Sequence, residues 1–183
     1  MLLINGSSRE ISNSTYLAKQ VLKDIAYKEI NLKDYNISPI IDKRHDINGF
    51  ENIEMSDDYN NIIQKFIDSE TVIFSSPIYW YTFSSQLKLF IDRFSESLRV
   101  IEGFKEKLVD KNIYLVLVGG DEPREKGKII IKQFEYICNF FPMNLKDCII
   151  GEARKPMDIL NDEKVLQEAE ELNIKLKKRE ALM

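Results

Sequence analysis

Residues 1–20 read MLLINGSSREISNSTYLAKQ, and the polar middle of this stretch decides how the chain is built. An apolar tetrapeptide, Met1 to Ile4, is followed by Asn5, Ser7, Ser8, Ser12, Asn13, Ser14 and Thr15 before a helical pattern begins. An ordinary connection takes about two to six residues and one cap. So dense a run of hydroxyl and amide donors between a strand and a helix points to a partner rich in acceptor oxygens. Backbone N–H groups at a helix start carry partial positive charge and favour an anion. Neither G-x-x-x-x-G-K-[ST] nor G-x-G-x-x-G is present, so a magnesium-bound triphosphate and a glycine-packed pyrophosphate are poorly served. A terminal monophosphate, with three exposed oxygens, suits the run better. The competing role is capping: Ser12 or Ser14 at the helix start accounts for one hydroxyl but not for all of them.

Working outward, strand-like runs alternate with helical ones. Met1 to Asn5, Tyr27 to Leu32, Thr71 to Ser76, Ile113 to Gly119 and Asp147 to Gly151 read as strands. The first, third and fourth are nearly continuous apolar runs, as strands covered on both faces require. Leu17, Val21, Leu22 and Ile25 share one helical face, as do Tyr59, Ile62, Ile63, Phe66 and Ile67. Ile130, Phe134, Ile137, Cys138 and Phe141 make a third stripe, and Val165, Ala169, Leu172 and Leu176 a fourth. This alternation implies right-handed crossovers and an α/β fold of three layers. The expected architecture is flavodoxin-like: a five-stranded parallel sheet of order 2-1-3-4-5 with helices on both faces and a ligand crevice beyond the carboxyl ends of the strands. Three turns converge there: "GSSREISNST", "SPIYWYTFSS" and "GGDEPREKG".

Bulk composition narrows the function classes. A chain of 183 residues with 44% hydrophobic content suits one domain spanning residues 1–183. A net charge of -4 and no basic block interleaved with aromatics argue against nucleic acid. No apolar run approaches the ~20 residues that cross a bilayer, so a soluble, cytoplasmic protein without a membrane partner is expected. Cys138 and Cys148 are read as buried structural thiols, His45 as a solvated loop residue, and no metal is assigned.

The pattern "NGSSREISNST" followed by "SSPIYWYTFSSQLKLFIDRF" resembles the flavodoxin-like NAD(P)H-dependent FMN reductases, including the branch related to iron–sulfur flavoproteins. The similarity extends over nearly the whole chain, through the "VGG" turn and the "DCIIGEARKP" strand end. It implies FMN as cofactor, NAD(P)H as co-substrate, and a phosphate loop made of Ser7, Arg9, Ser12, Asn13, Ser14 and Thr15. Pro77, Ile78, Tyr79 and Trp80 match the loop that lies along the isoalloxazine, and Gly119 with Gly120 the loop that closes over it. Two departures are visible. The cluster cysteines of the iron–sulfur branch have no counterpart in "KDYNISPIIDKRHDINGFENIEM", and Ser8 and Ser12 stand where proline and glycine are common in the family.

Each later loop has its own physical reading. Pro77 ends the strand and withdraws a donor, so the backbone must turn. Tyr79, Trp80, Tyr81 and Phe83 offer flat apolar surface, to a flavin or to the next helix or a second subunit. "SSQLKLFIDRF" reads as a capped helix with Leu87, Phe90, Ile91 and Phe94 inward and Lys88, Asp92 and Arg93 solvated or interfacial. Asp121 and Glu122 are turn acids, while Arg124 and Lys126 are candidates for nicotinamide phosphates. Leu32 to Met55 is long for a connection and suits a lid or a subunit contact.

With FMN carrying the chemistry, no side chain is assigned as catalytic. The expected partner is a small-molecule electron acceptor such as a quinone, flavin, nitro or azo compound. The rival is a flavodoxin-like electron carrier that binds FMN without NAD(P)H turnover; such carriers tend to be strongly acidic, and -4 over 183 residues is mild. A scaffold that has lost flavin leaves the hydroxyl run unexplained. A homodimer is expected from the resemblance and from the aromatic surface at Tyr79 to Phe83.

Overall fold

Apolar residues on both faces of the central strands force helices onto both sides of the sheet. The structure, a computed structural model, describes residues 1–47, 49–50 and 57–181. Its strands are β1 (Leu2–Asn5), β2 (Lys28–Asn31), β3 (Thr71–Tyr79), the two-residue β4 (Thr82–Phe83), β5 (Asn112–Gly119) and β6 (Asn144–Glu152). Five of them are parallel in the order β2-β1-β3-β5-β6, and β4 pairs antiparallel with β3. The flavodoxin-like order read from the sequence is therefore the observed one, with β4 added as a sixth strand.

The helices are α1 (Asn13–Val21), α2 (Tyr59–Ile67), α3 (Ser85–Asp92), α4 (Phe94–Val100), α5 (Pro123–Lys126), α6 (Lys128–Phe140) and α7 (Glu163–Glu180). Leu2, Ile4, Val72, Phe74, Leu115 and Leu117 share a core with α2, α3, α4 and α6. The intervening residues Leu3, Ile73, Val116 and Val118 share the opposite core with α1 and α7. Each such side chain removed from water contributes about 1.5–3 kcal/mol. The larger core is aromatic: Phe66, Phe90 and Phe94 lie with ring centroids 5.3–5.8 Å apart.

Several local expectations need correction. Pro77 does not end its strand, because β3 gains an antiparallel partner beyond it, with Ile78 opposite Phe83 and Tyr79 opposite Thr82. Phe83 is buried against Phe134 of α6 at 5.4 Å and so is not part of the exposed aromatic surface. The last strand begins at Asn144, three residues before the apolar run, since this half-buried edge strand tolerates polar residues. Cys138 is buried and Cys148 half-buried, and burial pushes both thiols up to about 12. His45 is exposed in a turn.

Arg93 departs furthest from its solvated reading. It sits in the break between α3 and α4 with its side chain fully buried. Its Nε and Nη2 donate to Glu96 at 2.7 and 2.9 Å, its Nη1 donates to Asp57, and its guanidinium lies 4.2 Å from the Tyr59 ring centroid. Burial opposes the charge, but the bonds to Glu96 and Asp57 outweigh it and raise the guanidinium pKa. The same Asp57 carboxylate accepts the Ser38 N–H at 2.9 Å, and Asp58 accepts that of Asn36 at 2.8 Å. Arg93 thereby fastens both ends of the long connection after β2. The lid or subunit-contact role expected for Leu32 to Met55 falls partly on residues 48 and 51–55, outside the described residues.

Arg93→Ala leaves the buried carboxylates of Asp57 and Glu96 without their shared cation. It is expected to lower unfolding free energy by about 3–5 kcal/mol, whereas Lys88→Ala, which breaks the exposed Lys88–Asp92 pair, costs under about 1 kcal/mol. Urea denaturation compares the two; equal effects would show that the buried network adds no stability.

Candidate functional site

Four loops leave the carboxyl ends of β1, β3, β5 and β6 and enclose a cavity of about 350 Å³, at the small end of the usual range for ligand sites. The β1 loop is shaped by its own side chains. Asn5 Nδ2 donates to Asn31 Oδ1 at 2.9 Å, Asn5 Oδ1 accepts the Ser7 N–H at 3.0 Å, and Ser7 Oγ accepts the Arg9 N–H at 3.3 Å. Ser12 is the N-cap of α1: its Oγ accepts the Thr15 N–H at 3.3 Å and its carbonyl that of Tyr16 at 2.9 Å. The first N–H groups of a helix have no intrahelical acceptor, so those of Asn13 and Ser14 remain for a ligand or water.

The cavity wall includes Ser7, Arg9, Ser12, Asn13 and Ser14 from this loop, Pro77, Ile78 and Tyr79 from the end of β3, and Gly119 and Gly120 after β5. Thr15 and Trp80 do not line it. Thr15 Oγ1 is buried nearby with no hydrogen-bond partner among the described residues. Asn13 is partly spent: its Nδ2 donates to the Lys155 carbonyl at 2.8 Å and its Oδ1 accepts the Ile159 N–H at 3.4 Å. The capping reading is correct for Ser12, while Ser14 adds a second buried hydroxyl 3.1 Å from it.

Val118, Asp121, Ala153 and Arg154 also line the cavity; Asp121 is more than the turn acid read from the sequence, and the other three carry no site reading there. Arg154 Nε donates to the Gly120 carbonyl at 2.7 Å, tying the β6 loop to the β5 loop. The available signal was positional, since "GEARKP" leaves the same end of the sheet as the other loops. The two glycines are closely packed: a Cβ at Gly120 would lie 2.7 Å from Arg154 Cγ, and one at Gly119 would lie 3.0 Å from Pro123 Cβ.

The cations proposed for nicotinamide phosphates are already paired. Arg124 donates to both oxygens of Asp162 at 2.6 Å, and Lys126 lies 2.7 Å from Asp121 and 3.2 Å from Glu122. The bond from Lys126, with another from Tyr81, holds the Asp121 carboxyl below the usual range. Trp80 is 92% exposed at the tip of the β3–β4 hairpin, where it lines a second, adjoining cavity of about 220 Å³. Among the described residues no group of three or more His, Cys, Asp or Glu could hold a metal ion, and no helix is long and apolar enough to cross a membrane.

Known proteins resemble the chain in sequence and in structure. A family described as NADPH-dependent FMN reductase matches residues 1–129. A Bacillus subtilis protein named as an NAD(P)H-dependent FMN-containing oxidoreductase, YwqN, is 40% identical over 182 residues, covering 98% of each chain. The solved structure of a Bacillus subtilis Trp repressor binding protein superposes with a TM-score of 0.74 at 33% identity, over 93% of this chain and 96% of that one. An FMN-dependent NADH-azoreductase from Bacillus anthracis, solved with FMN, superposes at 0.67 over 96% and 98% of the two chains; at 15% identity that likeness speaks for the fold alone.

Proposed function

The chain belongs to the NADPH-dependent FMN reductase family, and from that premise we propose that the 350 Å³ cavity is its FMN site. It is an NAD(P)H-dependent FMN oxidoreductase. In our reading residues 1–183 are one FMN-binding domain. Ser7, Ser12 and Ser14, with the N–H groups of Asn13 and Ser14, hold the phosphate, and the buried Thr15 hydroxyl stands behind them. Arg9 offsets its charge from the exposed side, and Asn13 fixes the start of α1 against the β6 loop. Pro77, Ile78 and Tyr79 on one side and Gly119 and Gly120 on the other bound the place of the ring. The observation that carries this reading is the run of buried hydroxyls along the β1 loop and the start of α1: those of Ser7, Ser12 and Ser14 line the cavity, and that of Thr15 has no hydrogen-bond partner among the described residues.

Bound FMN supplies a two-electron relay between NAD(P)H and an acceptor. Overall, NAD(P)H and a proton pass two electrons and two hydrogens to the acceptor, leaving NAD(P)⁺. The residues of this chain bind and orient; none is required to act as nucleophile or general acid. We read the acceptor as a small molecule such as a quinone, a flavin, or a nitro or azo compound, and the cytoplasm, where NAD(P)H is held, as the working compartment. Family membership favours turnover over the electron-carrier alternative. A second copy of the chain is read as the partner, seated on the apolar groove between α4 and α6, where Tyr136 and Phe140 are exposed.

Anaerobic mixing of the FMN-loaded protein with NADH or NADPH is expected to bleach the flavin without any partner protein, and 2-methyl-1,4-naphthoquinone is expected to restore it. No bleaching by either nucleotide at saturation would leave a carrier, not a reductase.

The phosphate position has a separate test. Ser14→Asp keeps a residue well suited to a helix start, so folding should survive, but it sets a carboxylate beside a phosphate dianion. Loss of one charge-assisted bond costs about 1.5–3 kcal/mol, roughly ten- to a hundredfold in affinity before repulsion is counted. Titration should show that loss for FMN and almost none for riboflavin; equal FMN affinity in the two proteins would remove Ser14 from the phosphate site.

For assembly, sedimentation at micromolar concentration is expected to give twice the chain mass of 21.4 kDa. A monomer with FMN bound would contradict the proposed partner.

A further inference from the structure

The hairpin between β3 and β4 turns on two residues, Trp80 and Tyr81, with φ of 48° and 63°. Both lie in the left-handed region, where such turns favour Asn-Gly and where other side chains cost energy. The chain spends that strain to hold an indole 92% exposed. Tyr81 is held by Asp121 and Lys126, but among the described residues the indole has no hydrogen-bond or stacking partner. Strain and bare aromatic surface at one position, beside a cofactor cavity, call for a ligand.

The cavity of about 220 Å³ beneath this turn supplies the place. It shares Ile78, Gly119, Gly120 and Asp121 with the 350 Å³ cavity, so the two are halves of one crevice meeting over the glycines. Its other walls include Trp80, Tyr81 and Pro123, which are flat and mostly apolar. Its polar end is closed on itself. Tyr81 Oη donates to Asp121 at 2.9 Å, and Lys126 is shared between Asp121 and Glu122. Two carboxylates thus flank one ammonium, and Arg124 beside them is taken up by Asp162. Among the residues lining this half of the crevice the one cation, Lys126, is already paired, and Arg154, whose Nε binds the Gly120 carbonyl, belongs to the wall of the other half.

We propose that this second cavity is the acceptor subsite, that Trp80 stacks on the acceptor and does not hold the cofactor, and that the site takes planar uncharged aromatics in preference to anionic ones. This rests on the FMN reading of the first cavity. For a quinone the balance is complete: NAD(P)H provides a hydride, solvent provides a proton, the quinone becomes the quinol, and NAD(P)⁺ is released. Trp80 and Tyr81 orient the acceptor over the glycine floor, and the paired acids and lysine keep sulfonated or phosphorylated rings out.

Trp80 is the chain's single tryptophan, so its emission reports this site directly. In the FMN-loaded protein, 2-methyl-1,4-naphthoquinone is expected to quench that emission saturably, whereas a sulfonated naphthoquinone quenches it only linearly, as it does a free tryptophan amide. Trp80→Gly suits the left-handed turn better than tryptophan, so the variant should fold at least as stably. It should retain FMN and lose about tenfold in kcat/KM for the neutral quinone, the worth of one aromatic stack. Linear quenching by the neutral quinone, or unchanged kcat/KM in Trp80→Gly, overturns the subsite. Loss of FMN from Trp80→Gly assigns the indole to the cofactor instead, and equal saturable quenching by the sulfonate overturns the preference. Failure of the FMN reading shows separately, as wild-type protein that carries no flavin spectrum and takes up none on addition.

Discussion

The constraint on which everything else depends is that the central strands have no solvent face. Within β1, β3 and β5, alternate residues are claimed by one helical layer or the other, so most side chains that must stay polar are expelled to the strand ends. Asn5 and Ser7 stand at the first positions past Ile4 where donors can be kept, and the cavity forms there. The amino ends meet the same demand differently. Lys111, buried before β5, donates to the carbonyls of Ile67 and Ser69 at the end of α2. Burial pushes its ammonium down to about 8, and its bonding is directed inward to backbone. One end of the sheet uses its polar groups to close a helix; the other leaves N–H groups and hydroxyls facing a void.

Much of the architecture could be read from the chain because periodicity reports burial locally. The continuous runs at β1, β3 and β5 and the stripes of α1, α2, α6 and α7 each lie within a few residues of themselves. What escaped depends on distant partners. Arg93 looks like a polar residue on an amphipathic helix, and nothing near it in sequence reveals that Asp57, 36 positions away, completes its burial. β4 is too short to carry a period, and its existence is what carries β3 past Pro77. At the site, the residue types of the first loop were informative, but their division of labour was not: Ser12 caps the helix, and Asn13 is occupied by backbone 142 and 146 residues away. Arg154 enters the wall only because β6 lies beside β5.

If the start of α1 takes a phosphate as we propose, hydroxyls in place of cations there have a physical rationale. A buried lysine or arginine there would carry a large desolvation cost whenever the ligand was absent. Hydroxyls are neutral and can pair with each other, as Ser12 and Ser14 do at 3.1 Å, and then turn toward a dianion when one arrives. The charges that do surround the crevice are largely committed in the same spirit: Lys126 to two acids, Arg124 to Asp162, and Arg154, through Nε, to a backbone carbonyl. Two exceptions to this economy lie at the crevice. Thr15 keeps a buried hydroxyl without a partner among the described residues, and the Trp80–Tyr81 turn keeps two side chains in a strained backbone region. Beside a cavity, such residual costs are what a binding event can recover.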